Sequence, residues 1–340
     1  GIFNRKAAQA QAAKNGRRDA DQQFGTNPCS EIILRPHQFC NLTEVVVRAD
    51  DLPRDLHRKV RIATILGTFQ ATLTDFKYLR KIWKQNTEEE RLLGVSMTGI
   101  MDNKLLTNRS HIQAGVHLRE LRETAVKTNE EFAKKLRIPQ STAITCVKPS
   151  GTVSQLVDSA SGIHPRYSEY YIRRVRGDIK DPLTRFLMDA GVPHEPDVTN
   201  PDNIMVFDWP MKAPLGSKTR LTAIEHLELW LLFQENWCEH KPSITVSVAE
   251  DEWMSVGAWV YEHFDQVSGI SFLPKSDHTY RQAPYEAITK TEYDELVLAS
   301  PKHIDWVGGL WEYEEEDNTE SSQTFACTSD SCEVVDIGSR

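Results

Sequence analysis

The sequence predicts an α/β protein, and three observations carry that expectation. Short apolar runs alternate with longer stretches whose apolar residues recur at three- and four-residue steps. The longer stretches lie between the runs, as crossover helices lie between parallel strands. Hydrophobic residues make up 39% and charged residues 26% of the 340, enough to bury a core and too apolar for a disordered chain.

The elements follow in order. Residues 5–14 are rich in Ala and Gln and read as a short helix, followed by a polar stretch from Asn15 to Gln23. Glu31-Ile32-Ile33-Leu34 and Thr43-Glu44-Val45-Val46-Val47 read as extended segments. Residues 52–75 place Leu52, Leu56, Val60, Ala63, Leu66, Phe69 and Leu73 at helical steps. Leu92 to Ile100 is a candidate buried strand. A long helix is expected from His111 to Lys135, with Pro139 just past its end. Thr142 to Val147 is the next strand candidate, leading directly into Pro149-Ser150-Gly151-Thr152. Further strands are expected at Tyr170–Val175, Ile204–Phe207, Ile244–Val248 and Ile270–Leu273, with helices near 182–190, 222–237, 252–264 and 290–299. Pairing should be mostly parallel. Residues 1–312 form the packed part. From 313 to 340 the chain turns acidic and then rich in Ser and Thr, which reads as a flexible tail.

A net charge of −9 argues against duplex DNA or RNA as an electrostatic partner. No apolar run approaches the roughly 20 residues of a spanning helix, and no signal peptide opens the chain. Cytoplasm is the expected location. The first residue is Gly1 rather than Met, so a segment upstream is expected.

Six cysteines without a Cys-x-x-Cys pair give zinc little support, and no metal site is expected. In Asn27-Pro28-Cys29-Ser30-Glu31, an extended backbone would turn residues 27, 29 and 31 to one side. That face would offer an amide, a thiol and a carboxylate: one group to orient a hydroxyl, one to act as nucleophile or hydrogen-atom abstractor, one to accept a proton. The competing reading is a turn capped by Asn27 with Cys29 packed. Cys40, Cys146 and Cys238 each read on their own as core cysteines. Cys327 and Cys332 stand in the polar tail, either as incidental surface thiols or as a tethered dithiol that ferries electrons by thiol–disulfide exchange. Lys148-Pro149-Ser150-Gly151-Thr152-Val153-Ser154 follows a strand candidate. Its small residues would expose backbone amides at a helix start, where phosphate binds, or simply cap that helix.

Taken in order, Asn27-x-Cys29-x-Glu31, Cys40-Asn41-Leu42, Pro149-Ser150-Gly151-Thr152-x-Ser154 and Cys327-x4-Cys332 resemble the catalytic chain of ribonucleotide reductase. The segments 27–34, 38–46 and Ser161-Gly162-Ile163-His164-Pro165-Arg166-Tyr167 resemble the adenosylcobalamin-dependent, class II ribonucleoside-triphosphate reductases of the monomeric kind. The resemblance runs over essentially the whole chain and over the C-terminal part of the family's.

It implies a ten-stranded α/β barrel whose central finger loop carries the radical cysteine. Cys29 would be that cysteine and take the ribose 3′ hydrogen; Glu31 would remove the 3′-hydroxyl proton; Asn27 would hydrogen-bond the ribose hydroxyls. Cys40 would be half of the dithiol that reduces the 2′ carbon. Cys327 and Cys332 would regenerate that dithiol and be reset by thioredoxin or a similar reductant. Ser150, Gly151, Thr152, Val153 and Ser154 would hold the substrate triphosphate. The second cysteine of the dithiol would come from an N-terminal half absent here, on a fragment or split-gene reading. Alternatives are the class I form, whose radical comes from a separate subunit, and a non-catalytic nucleotide-binding fragment. The class I form usually carries a tyrosine pair near the tail, where Tyr313 here stands alone.

Overall fold

A computed structural model describes residues 1–107, 111–275 and 280–313, so Cys327 and Cys332 lie outside the described residues. The fold is α/β, as expected. Its strands among the described residues are β1 (Gly25–Thr26), β2 (Ile33–Leu34), β3 (Asn41–Val46), β4 (Leu93–Thr98), β5 (Tyr170–Asp178), β6 (His194–Pro196), β7 (Ile204–Lys212), β8 (Thr245–Val248), β9 (Ser271–Pro274) and β10 (Tyr285–Ala287). The chain divides into two compact units, Gly1–Ser168 with Ala213–Asp277, and Glu169–Lys212 with His278–Arg340. No helix among the described residues is long and apolar enough to cross a membrane.

The first unit is built on a run of parallel staves. β3 pairs with β4 in parallel from Asn41↔Leu93 to Val46↔Thr98. β4 is buried along its whole length, as a strand covered on both faces must be. Residues 143–147 come next. Thr142 to Val147 was expected to be a strand; 143–147 hydrogen-bonds to both neighbours, as in Leu93 N to Ala143 O at 3.0 Å, but pairs as isolated parallel bridges, Val95↔Thr145 and Val147↔Pro242, rather than as a continuous ladder. The run 241–248 follows and includes β8, which pairs in parallel with β9. Parallel neighbours require crossovers, and the helices Pro53–Gln70, His111–Leu136, Ala223–Asn236 and Trp253–Glu262 supply them. These four pack on one another in that order. The helix Lys81–Glu90, too polar to stand out in the sequence, also lies between β3 and β4.

The two faces of β3 and β4 differ in chemistry because side chains alternate. Leu93, Val95, Met97, Val45 and Val47 join the core shared with the helices. A Cβ on Gly67 of the helix Pro53–Gln70 would lie 3.5 Å from Leu93 and from Thr43, which fixes that side as the helix side. The alternate positions Leu42, Glu44, Gly94 and Ser96 therefore face away from the helices. There a Cβ on Gly94 would collide with Leu42, stand 2.9 Å from Ile32 and 3.2 Å from Cys146 Sγ. Only glycine lets the segment carrying Ile32 lie this close to the sheet.

The second unit corrects the expectation of mostly parallel pairing. Its sheet has the order β10-β5-β7-β6 and is antiparallel throughout. Opposite charges meet directly across it: Arg174 lies opposite Asp208 in the β5–β7 register, with Nε 3.0 Å from Oδ1, and its Nη1 is 2.6 Å from Glu286 of β10. Cross-strand pairs of this kind favour one register. Phe186, Leu187, Val192, Met205 and Phe207 make its core.

Candidate active site

Asn27 to Glu31 is not the extended segment that would have put three side chains on one side. β1 and β2 pair antiparallel, Gly25↔Leu34 and Thr26↔Ile33, and residues 27–32 form the tip of a hairpin. Ser30 N donates to Asn27 O at 2.9 Å, Ile32 N donates to Asn27 Oδ1 at 3.0 Å, and Ser30 takes the left-handed conformation with φ 67°. Asn27 thus caps the turn, while Cys29 does not pack but stands exposed. Glu31 is fully buried, and neither carboxylate oxygen has a hydrogen-bond partner among the described residues. A buried carboxylate left unpaired is costly, and native structures keep such groups where a ligand completes them.

Cys40 begins just before β3 and is half-buried. Burial, and then the charge of Glu31, pushes its thiol above its ordinary value, with Arg18 opposing. A thiol held in its protonated form is a hydrogen donor rather than a nucleophile. Cys146 and Cys238 are fully buried, as expected of core cysteines.

Arg18 anchors the hairpin's base. It holds Glu90 through Nε at 3.1 Å and Nη2 at 3.0 Å, and its Nη1 donates to Ile33 O at 2.8 Å. His240 ties β2 to β4: Ile33 N donates to its Nδ1 at 3.3 Å, so Nε2 carries the proton and donates to Leu93 O at 3.0 Å. Burial, with Arg18 adding, lowers the pKa of His240 to about 3, so the ring is neutral.

The loop after residue 147 opens the six-residue helix Gly151–Leu156, with Ser150 left-handed at φ 55° as its N-cap. Ser150 Oγ donates to Glu44 Oε1, which also accepts from Ser96 Oγ at 3.1 Å. Ser154 is fully buried, its one hydroxyl proton shared between Gly151 O at 3.1 Å and Ser161 Oγ at 3.2 Å. Both serine hydroxyls are therefore used inside the protein. Gly151 and Thr152 are exposed and Val153 is half-buried; their amides are in the first helical turn and lack intrahelical acceptors.

His164 and His226 lie edge to face, 5.5 Å apart, next to this loop. Thr245 N donates to His164 Nε2 at 3.1 Å, and His226 Nε2 donates to Ile163 O at 3.0 Å. Burial first, and His164 second, lowers His226 to about 3. Arg166 fixes the segment from below by a bidentate pair with Asp102, at 3.1 and 3.0 Å.

Sequence reasoning passed over Glu44, which joins β3 to the loop, and Lys241, which lies under the hairpin. Burial raises the Glu44 carboxyl; Ser150, Ser96 and Lys148 oppose, and Glu31 adds to the rise. The Glu31 charge thus reaches Cys40, Glu44 and Cys146 alike. The available signal for Lys241 was Glu239-His240-Lys241, three ionisable residues leading straight into the apolar run 244–248.

Among known proteins, the adenosylcobalamin-dependent ribonucleoside-triphosphate reductase of Euglena gracilis is 30% identical over 335 residues, 95% of this chain and 44% of its own length. The probable enzyme of that name from Dictyostelium discoideum is 30% identical over 92% of this chain and 40% of its own. The chain is similar in sequence to the adenosylcobalamin-dependent ribonucleoside-triphosphate reductases. It spans less than half the length of these relatives. A crystal structure of B-12-dependent (class II) ribonucleotide reductase shares the fold, with TM-score 0.74 and 24% identity over 87% of this chain and 44% of that one. The class Id ribonucleotide reductase alpha subunit of Actinobacillus ureae matches more loosely, with TM-score 0.50 and 16% identity over 81% of this chain and 57% of its own. No family model matches the chain.

Proposed function

We propose that this chain is the C-terminal part of an adenosylcobalamin-dependent reductase that converts ribonucleoside triphosphates to 2′-deoxyribonucleoside triphosphates. The observation that carries the reading is Glu31: a fully buried carboxylate whose oxygens have no hydrogen-bond partner among the described residues, two residues from an exposed thiol at a hairpin tip. A substrate hydroxyl is what that carboxylate lacks.

On this reading the staves β3, β4, 143–147, 241–248 and β9 are half of a ten-stranded barrel, and the β1–β2 hairpin is its finger. An N-terminal half would supply the remaining staves and the partner of Cys40. Cys29, as a thiyl radical, takes the hydrogen from the ribose 3′ carbon while Glu31 takes the 3′-hydroxyl proton and Asn27 orients the hydroxyls. The 2′-hydroxyl departs as water on a proton from one thiol of the Cys40 pair. The pair gives a hydrogen to the 2′ carbon and closes a disulfide, Glu31 returns its proton to the 3′ oxygen, and Cys29 returns the hydrogen to the 3′ carbon. Cys327 and Cys332 then reduce that disulfide by exchange and are reset by thioredoxin or a similar dithiol. The amides of Gly151, Thr152 and Val153 face the triphosphate, with Ser150 and Ser154 shaping the loop behind them.

Adenosylcobalamin, when bound, supplies the first radical, which no side chain here generates unaided. A cobalamin brings its cobalt inside its own ring, so the fit to this chain turns on access to the thiol. Pro28 and Cys29, both exposed at the tip, are the residues that would face it.

The test supplies the N-terminal half in trans or by fusion, then adds a ribonucleoside triphosphate, a dithiol and adenosylcobalamin. Deoxynucleotide formed only with the cofactor, and lost in Cys29→Ala, is the expected result. Full turnover by Cys29→Ala would overturn the radical role. No product from folded, complemented protein even with adenosylcobalamin would point to a separate radical-generating subunit or to a non-catalytic fragment.

A further inference from the structure

Three hydrogen bonds reach the tip of the Cys29 hairpin from one stretch of the neighbouring stave. Ser243 Oγ donates to Cys29 O at 2.6 Å, Lys241 Nζ donates to Ser30 Oγ at 2.7 Å, and Lys241 N donates to Glu31 O at 3.2 Å. The donors are themselves fixed: Val147 N donates to Lys241 O at 3.3 Å and Ser243 N to Val147 O at 2.8 Å. Each of the three tip residues Cys29, Ser30 and Glu31 receives one of these bonds.

Lys241 is fully buried, an unusual place for an ammonium group. Burial lowers its pKa to about 7, with Glu31 pulling it back up. Space for its head is made by Gly269, whose Cβ, were there one, would collide with Nζ and stand 3.0 Å from Ser30 Oγ. Gly269 does not adopt a positive φ, so its lack of a side chain serves this space rather than a turn.

We propose that Lys241 and Ser243, with the room left by Gly269, are the positioning residues of the reacting hairpin, fixing where the Cys29 thiol and the Glu31 carboxylate point. The proposal rests on the reading of Cys29 as the reacting thiol. Lys241 touches no substrate; it acts through Ser30, whose left-handed backbone sets the direction of the tip. Misplacing a reacting group by about 1 Å is enough to cost on the order of 100-fold in rate.

Gly269→Ala is the decisive variant, because the backbone there has no positive φ and the new methyl meets the end of Lys241 and the Ser30 hydroxyl, the two partners of the contact under test. In the 340-residue chain, hydrogen exchange of the peptide 25–34 is expected to quicken by about tenfold, while peptides from the helix Ala223–Asn236 stay protected. In the complemented enzyme kcat should fall about 100-fold with KM for the nucleotide within about twofold. Ser30→Ala should give effects of similar size, and the double variant should be no worse than either, since one contact is lost in all three. Lys241→Met, which keeps length without charge, repeats the measurement should Gly269→Ala fail to fold. Wild-type exchange and kcat in these variants, additive effects, or a rise in KM at constant kcat would each overturn the proposal. Failure of the radical reading shows separately, as full turnover by Cys29→Ala, and leaves the exchange result intact.

Discussion

The hairpin 27–31 and the loop 148–154 meet the same sheet face, yet they spend their polar groups in opposite ways. In the loop, Ser150 is bonded to Glu44 and Ser154 to Gly151 O and Ser161, so side chains build the shape and only backbone amides remain for a ligand. In the hairpin the backbone is held by Asn27, Lys241 and Ser243, and neither oxygen of the Glu31 carboxylate has a hydrogen-bond partner among the described residues. One region holds a ligand by fixed dipoles; the other keeps a charge in reserve for a reaction. Substitutions should therefore cost stability in the loop and turnover in the hairpin.

The largest effect expected from that contrast is at Glu31. Glu31→Gln keeps the volume and removes the proton acceptor, so kcat in the complemented enzyme should fall about 10²- to 10⁴-fold. Its midpoint of chemical denaturation should hold, because neither carboxylate oxygen has a hydrogen bond to lose among the described residues. A variant that unfolds while what remains folded turns over normally would show that Glu31 is structural, and the contrast would collapse.

Acid should strip both regions, through different histidines. The rings of His240 under the hairpin and His226 beside the loop titrate near 3 in the fold and near 6.5 in the unfolded chain. Between those values the unfolded state binds more protons, so stability is full above about pH 6.5 and is lost as pH falls toward 3. Each histidine contributes a slope of up to about 1.4 kcal/mol per pH unit. His240→Gln should flatten the acid limb by one proton's worth, read from urea midpoints at a series of pH values. An unchanged limb would mean that the ring is not held neutral.

Much of this was legible in the sequence, and where it was not the reasons are physical. Strand and helix order came through because apolar spacing reports burial on one face, which holds for the helices His111–Leu136 and Ala223–Asn236. The antiparallel sheet of β5, β7, β6 and β10 was hidden, since strand composition does not encode the direction of a partner. The triad of Asn27, Cys29 and Glu31 was readable as residue types, but its geometry was not. A six-residue segment can be extended or turned, and Asn27 Oδ1 and the distant Lys241 and Ser243 decide in favour of the turn. Lys241 stood out only as part of the ionisable run Glu239-His240-Lys241; its contact was hidden because Ser30 lies 211 residues away.

The smallest effects belong to the loop, and they test whether its serines shape or bind. Ser150→Ala takes one donor from Glu44 and should cost about 1–3 kcal/mol of stability, the penalty of an under-satisfied buried group. Its KM for the triphosphate should shift by no more than about threefold, since a hydroxyl turned toward Glu44 is not available to phosphate. Thr152→Ala, at an exposed position in the first helical turn, should change stability by less than about 0.5 kcal/mol. Its KM should stay within about twofold, because the amide that remains does the holding. A Thr152→Ala enzyme with KM raised tenfold or more would move the phosphate contact from the backbone to the hydroxyl, and the loop would then resemble the hairpin in keeping a side chain in reserve.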